Sequence, residues 1–209
     1  MSTYHDILRQ YWGYDDFRGI QREIIESIGA GHDTLGLMPT GGGKSICYQI
    51  PALIMKGITI VVSPLISLMQ DQVSSLEAAG IHSVFLNSTL DWDSYKQAIS
   101  DIKSGKTKIV YISPEGLATA KIRELFTEAD IEVSCITIDE AHCISQWGQD
   151  FRPSYLKIVE FINILSKRPI ITAFTATATE EVKTDIECIL GLQNPNVVIT
   201  GFDRENLYY

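Results

Sequence analysis

Met38-Pro39-Thr40-Gly41-Gly42-Gly43-Lys44-Ser45 is the stretch on which the fold turns. An apolar run, residues 34–37, leads into it with the composition of a short buried strand, and an apolar-periodic run from Lys44 follows with the period of a helix. Strand, glycine-rich turn and helix, with Gly-Lys-Ser at the junction, are the context of a phosphate-binding loop. Glycines let successive backbone N–H groups turn inward without a Cβ clash, which makes a concave anion nest. The helix start adds its partial positive charge. In such a loop Thr40, Gly41, Gly42 and Gly43 cradle phosphates, Lys44 reaches the β- and γ-phosphates, and the Ser45 hydroxyl ligates Mg²⁺. The strict pattern has Gly where this chain carries Met38, and an ordinary glycine-rich strand-to-helix turn is the competing explanation.

Around this loop the chain alternates strand and helix. A short amphipathic helix is expected over residues 3–12, ending at Gly13, and a second from Asp15 or Asp16 to residues 29–31. Strands follow at 58–62, 84–86, 109–112, 133–138, 170–174 and 197–199, apolar on both faces where they are longest. Between them helices are expected from Ser63-Pro64-Leu65 to Ala79, from Asp91 to about Ser104, briefly at Ser113-Pro114-Glu115, over 155–165, and over 179–190 with Gly191 as the stop. This alternation predicts an α/β fold, a mostly parallel sheet with helices on both faces, in one domain.

Composition narrows the class. At 209 residues the chain suits one α/β domain and is short for two. No run approaches the ~18 apolar residues of a membrane span and the N-terminus lacks a signal-peptide core, so a cytosolic protein without a membrane partner is expected. Cys47, Cys135, Cys143 and Cys188 are scattered and form no ligand spacing with the histidines, which favours reduced thiols over a zinc site. The net charge of −9 argues from composition against a nucleic-acid partner, although a groove needs only a few well-placed donors.

Further groups carry chemistry. Asp139-Glu140-Ala141-His142 ends a strand, where ligands bind in open α/β sheets. Adjacent residues point oppositely, so Asp139 can hold the Mg²⁺ of a nucleotide while Glu140 orients and deprotonates water. Tyr14, Arg18 and Gln21 could hold a purine between ring and guanidinium with an amide on its edge; residue type alone favours a packing tyrosine and a solvated helix face. Thr177 with Glu180 fits a capping box, and Thr175-Ala176-Thr177-Ala178 also suits coupling of the sheet to a nucleotide site. Between His142 and Pro153, Trp147, Phe151 and Arg152 suit base stacking and phosphate contact, or a loop folded back on the core.

The order of these pieces, with Ser63-Pro64-Leu65-Ile66-Ser67-Leu68-Met69, Ser113-Pro114-Glu115 and the run from Asp139 to Pro153, resembles RecQ-type DNA helicases of superfamily 2 over essentially the whole chain. The resemblance implies a RecA-like P-loop NTPase domain, the first of two motor domains of an ATP-dependent 3′–5′ helicase acting on single-stranded and forked duplex DNA in repair and recombination. It implies ATP and Mg²⁺ as cofactors, adenine recognition by Tyr14, Arg18 and Gln21, catalysis by Lys44, Asp139 and Glu140, and DNA contacts at Ser63, Pro64, Ser67, Trp147, Phe151 and Arg152. His142, Gln146, Thr175 and Thr177 would couple the two activities. A nucleoid-associated or nuclear location follows from the same resemblance. Departures are Gly19 where many relatives have Pro, Gly116 for a frequent basic residue, and Glu205 for a usual Pro in the segment 202–207 that resembles the start of the second motor domain. A second RecA-like domain with its arginine finger, and zinc-binding and winged-helix regions, are expected to lie outside these 209 residues. A stand-alone nucleotide or single-strand binder, an RNA helicase and a double-strand translocase are the alternatives.

Overall fold

The computed structural model describes residues 3–87, 90–128, 131–148 and 150–200; the segment 202–207 and Arg204 lie outside them. Seven strands form one sheet: β1 Thr34–Leu37, β2 Ile58–Val62, β3 Ser83–Leu86, β4 Ile109–Ile112, β5 Val133–Ile138, β6 Ile170–Thr175 and β7 Asn196–Ile199. The order is β3-β4-β2-β5-β6-β1-β7, and every pairing is parallel. All carboxyl ends therefore share one edge. There Leu37 pairs with Thr175, and Val62 with both Ile112 and Ile138.

Alternation along the strands sorts side chains into two cores. Ile60, Val62, Val110, Ile112, Ile136, Ile138, Ile171 and Ala173 face α5 (Trp92–Lys103), α7 (Ala120–Glu128), α8 (Leu156–Ile164) and α9 (Glu180–Leu190). Val61, Ile109, Tyr111, Cys135 and Phe174 face α2 (Gln21–Gly29), α3 (Lys44–Ile54) and α4 (Ile66–Ala78). Burial on both faces is why these strands read as continuous apolar runs. Helix α1 (Tyr4–Trp12) lies outside the second layer through Ile7 and Leu8 against Ile25 and Ile50. Its Thr3–Asp6 capping box and left-handed Gly13 set its ends. Burial pushes the thiols of Cys47 and Cys135 up to about 12, which keeps them protonated and inert.

Several boundaries differ from the sequence expectation, each for a local reason. Helix α2 starts at Gln21, not at Asp15 or Asp16, because Gly19 takes a left-handed φ of 50° and Asp16 turns to the Phe17 N–H and His5. Helix α4 starts at Ile66, leaving Ser63 and Pro64 in the preceding loop. The cap of α9 is Thr179, whose hydroxyl accepts from the Val182 N–H, so no capping box forms on Thr177 and Glu180. Helix α7 had no counterpart in the sequence expectation, while α6 (Pro114–Leu117) begins as expected with Ser113 accepting from the Gly116 N–H.

Candidate functional site

The loop after β1 closes on itself through a Gly42 N–H to Pro39 carbonyl bond of 3.0 Å. Gly41 and Gly43 have φ of 79° and 78°, a region that a side chain would strain, and Gly43 caps α3. Met38, the departure from the strict pattern, is buried at 3% exposure among Ile24, Cys47 and Phe174. Position 38 is thus a core position beneath the loop, and its side chain points away from the anion nest.

Beside the loop lies a cavity of about 290 Å³ lined by Thr40, Gly41, Lys44, Ser45, Asp139 and Glu140, with Ser63, Tyr48 and Tyr111 behind. The sheet order explains the convergence. Strand β6 sits between β1 and β5, so Thr175 ends up at the shared edge between the glycine loop and Asp139. Lys44 Nζ is 3.7 Å from Glu140 Oε1. Glu140 Oε2 is 3.4 Å from His142 Nδ1, which lies 2.9 Å from Thr175 Oγ1. The Thr175 hydroxyl gives its proton to the Thr177 carbonyl, so the His142 Nδ1 carries a proton and donates to Thr175. A chain of contacts therefore runs from Lys44 through Glu140 and His142 to the end of β6.

Glu140 is a non-glycine residue with φ 48° and ψ 46°, in the left-handed region. Holding it there costs about 1 kcal/mol or more, and turns its carboxylate toward Lys44 while Asp139 stays against the cavity floor. Burial raises the Asp139 pKa, the nearby Lys44 charge opposes that shift, and Glu140 adds to it. The Asp139 backbone is pinned by its N–H to the Val62 carbonyl and by the Tyr155 hydroxyl donating to its own carbonyl at 2.9 Å. Among the described residues no group of three or more His, Cys, Asp or Glu could hold a metal ion alone. A hydroxyl and one carboxylate beside an anion nest suit Mg²⁺, which keeps waters and takes further oxygens from phosphates.

Tyr14 and Arg18 do come together, with the guanidinium 5.1 Å from the ring centroid, and both are exposed. Gln21 departs from the solvated-face expectation and is 3% exposed. Its Oε1 accepts from the Arg18 N–H at 2.8 Å, which fixes the amide's orientation, and its Nε2 donates to the Gly42 and Gly43 carbonyls at 3.3 and 3.2 Å. In this structure the amide thus links the Arg18 turn to the glycine loop.

Ser63 is 2% exposed, its Oγ lacks a protein partner, and it lines the same cavity as Lys44 and Asp139. Pro64 is half-buried and Ser67 is exposed. Trp147 is 78% exposed, which excludes the folded-back alternative for that ring; Phe151 and Arg152 are half-buried and Gln146 is exposed. Arg152 pairs with Asp150 at 2.8 Å. The loop is held by Ser145, which donates to Asp185 and accepts from the Trp147 N–H, and by Gly148, where a Cβ would come within 2.4 Å of the His142 carbonyl. Thr177 is exposed and reaches Thr175 through its backbone. The sequence reading missed Tyr48, Gln49, Gln72, Tyr111 and Tyr155. Gln49 Nε2 donates to both Gln72 and the Tyr111 hydroxyl, tying α3, α4 and β4 together behind the cavity. No local signal marks these partners, because they are brought together from distant segments.

Residues 18–185 match the family model of the DEAD/DEAH box helicases. The chain belongs to that family. Over 97% of its length this helicase-family chain is 50% identical to an ATP-dependent DNA helicase RecQ of Bacillus subtilis, of which it covers 34%. It is 46% identical, over its whole length, to the RecQ helicase of Pasteurella multocida, of which it covers 32%. The chain thus spans about a third of the length of these curated relatives. Among solved structures, the DUF1998 helicase MrfA bound to DNA superposes on 96% of the chain with a TM-score of 0.74 at 19% identity, over 30% of its own length. That likeness shows the fold, a RecA-like helicase domain.

Proposed function

We propose that residues 1–209 are the ATP-binding half of an ATP-dependent 3′–5′ DNA helicase of RecQ type, working with a second RecA-like domain in a longer chain. The observation that carries this reading is the convergence of the glycine nest, Lys44, Ser45, Asp139 and Glu140 on one cavity. The 50% and 46% identities to proteins named ATP-dependent DNA helicase RecQ support DNA over RNA as the track.

In this reading Thr40, Gly41, Gly42, Gly43 and Lys44 hold the β- and γ-phosphates, and Ser45 with Asp139 holds Mg²⁺. ATP with Mg²⁺ supplies the phosphoryl group and the cation that offsets its charge. Glu140 orients the attacking water and takes its proton. Tyr14 and Arg18 receive the adenine ring, while Gln21 holds the Arg18 turn to the glycine loop. Pro64, Ser67, Trp147, Phe151 and Arg152 meet single-stranded DNA. The His142–Thr175 bond, with Thr177 alongside, carries the state of Glu140 to the DNA-facing loop that holds Gln146. Among the described residues no arginine lines the cavity. An arginine finger is worth about 10³–10⁵ in rate, so residues 1–209 alone should bind ATP·Mg²⁺ weakly, hydrolyse it poorly and separate no strands.

The test is ATP hydrolysis by a chain carrying both motor domains, with single-stranded DNA or RNA of the same sequence, and strand separation on a forked duplex. DNA should stimulate and RNA should not. Trp147→Ala with Phe151→Ala should keep basal hydrolysis and lose stimulation. Equal rates for wild type and Glu140→Gln would defeat the catalytic assignment, and stimulation by RNA alone would move the protein to the RNA helicases.

A further inference from the structure

An apolar recess of about 490 Å³, apart from the cavity beside the glycine loop, opens at the carboxyl ends of β3 and β4. Leu86, Ile112 and Ile122 floor it, and Trp92 and Tyr95 wall it. Trp92 is 60% exposed although it is the first residue of α5, whose start is fixed by the Asp91 cap. Its ring lies nearly parallel to that of Tyr95, at 11° and 6.3 Å between centroids. Lys96 Nζ and Lys121 Nζ lie 4.9 and 5.5 Å from the Trp92 ring centroid. This exposed indole, stacked on Tyr95, thus gathers two cations over its ring on a chain of net charge −9.

We propose that Trp92 is a base-stacking platform for single-stranded nucleic acid, with Lys96 and Lys121 as its phosphate contacts. This rests on the DNA-motor reading above and adds a binding subsite to it. Stacking on an aromatic face with cations at the backbone is the general chemistry of sequence-tolerant single-strand binding. The position fits, because the recess opens at the carboxyl edge of the all-parallel sheet, the edge from which the chain runs on to Ser67 after β2 and to Trp147 after β5. Charge selects the occupant. Two ammonium groups on an indole favour an anionic strand with π-faces over an apolar peptide, which would leave the lysines unmatched. Glu115 is the only carboxylate among the described lining residues and sits with Ser113. The phosphates would therefore draw the two lysines off the indole, leaving its face to a base.

The test uses residues 1–209 and a twelve-residue oligothymidylate carrying one 5-iodouracil, irradiated at low salt, with adducts mapped by mass spectrometry. An adduct on the Trp92 peptide is expected, retained in Trp92→Phe and lost in Trp92→Ala. In titrations, Trp92→Ala should weaken plain oligothymidylate by about 5- to 150-fold and leave an abasic strand of equal charge unaffected. Lys96→Gln with Lys121→Gln should weaken both strands. A thermal melt confirms that each variant is folded. Adducts confined to Trp147 or Phe151, with Trp92→Ala neutral, would overturn the platform and leave the DNA-motor reading standing. No adduct on a chain that still binds nucleotide would overturn the platform, and the DNA-motor reading would still be decided by hydrolysis in the chain carrying both motor domains. Quenching of Trp92 by an aromatic-tailed peptide but not by oligothymidylate would assign the recess to a protein partner and overturn the proposal.

Discussion

Two buried aspartates at opposite ends of the sheet divide the molecule into a part that is held and a part that is poised. Asp33, at the amino end of β1, is 4% exposed and faces Arg168, with Nη2 at 2.6 Å and Nη1 at 3.1 Å. It also accepts from the backbone N–H groups of Ile171 and Gln193 at 2.9 and 2.7 Å. That one carboxylate ties together the starts of β1, β6 and β7. Asp139, at the carboxyl end of β5, is 8% exposed, and burial raises its pKa despite Lys44. A buried carboxylate with its donors supplied is a structural joint, whereas one that burial still disfavours as an anion is a place for a cation. The same residue type thus does opposite work at the two edges of one sheet.

The largest effect should come at the poised end. In the proposed reading Lys44→Ala removes the charge that would offset the phosphates, so added ATP·Mg²⁺ should no longer raise the melting temperature, while the apo melt shifts by no more than about 2 °C. A variant that unfolds, or that keeps ATP-dependent stabilisation, would break the division. At the held end, Asp33→Asn should destabilise by about 3 kcal/mol, because it leaves the Arg168 charge without its partner. Urea denaturation measures this, and a neutral result would make Asp33 no joint at all.

Asp139→Asn sharpens the contrast. A carboxyl whose folded pKa lies above its unfolded value stabilises most when protonated, and its contribution is lost as pH rises through the folded pKa. Ionised Asp139 therefore destabilises the apo protein at neutral pH. Its amide variant should melt at the same temperature as wild type or up to a few degrees higher, while losing Mg²⁺-dependent nucleotide binding; a drop in apo stability would contradict this. A smaller effect follows from the same shift. Nucleotide affinity measured with Mg²⁺ should fall, as pH is lowered, at a pH above the ordinary aspartate value of 3.8, and a flat profile down to that value would refute the shift. Gly148→Ala tests the loop that follows the paired carboxylates. Its Cβ would crowd the His142 carbonyl, at a cost of about 1–3 kcal/mol, read as a lower melt with nucleotide binding retained.

The fold was legible to a large degree because its signals are local. Strands β2, β5 and β6 are apolar on both faces, and the helix stops at Gly13 and Gly191 are left-handed positions that glycine fills readily. Helix α7 went unforeseen, and other helix starts were misplaced. Residue type permits Asp16, Pro64 or Thr177 to begin a helix, and the choice fell to Gly19, to the turn that buries Ser63, and to Thr179. Local capping preferences amount to about 1 kcal/mol, and burial outweighs them.

The sequence alone determined the parts of the candidate site: the glycine loop with Lys44 and Ser45, and the paired carboxylates Asp139 and Glu140, because each is a short run whose chemistry is contained in adjacent residues. Only the tertiary structure decided how they meet. It placed β6 between the two loops and so set Thr175 against His142, bent Glu140 into the left-handed region facing Lys44, turned Ser63 inward, and tied Gln21 to the glycine loop. The physical reason is that these contacts join segments many residues apart, at distances set by which strand lies beside which. Strand order in a parallel sheet is chosen by packing across both faces, and no single stretch of sequence carries it.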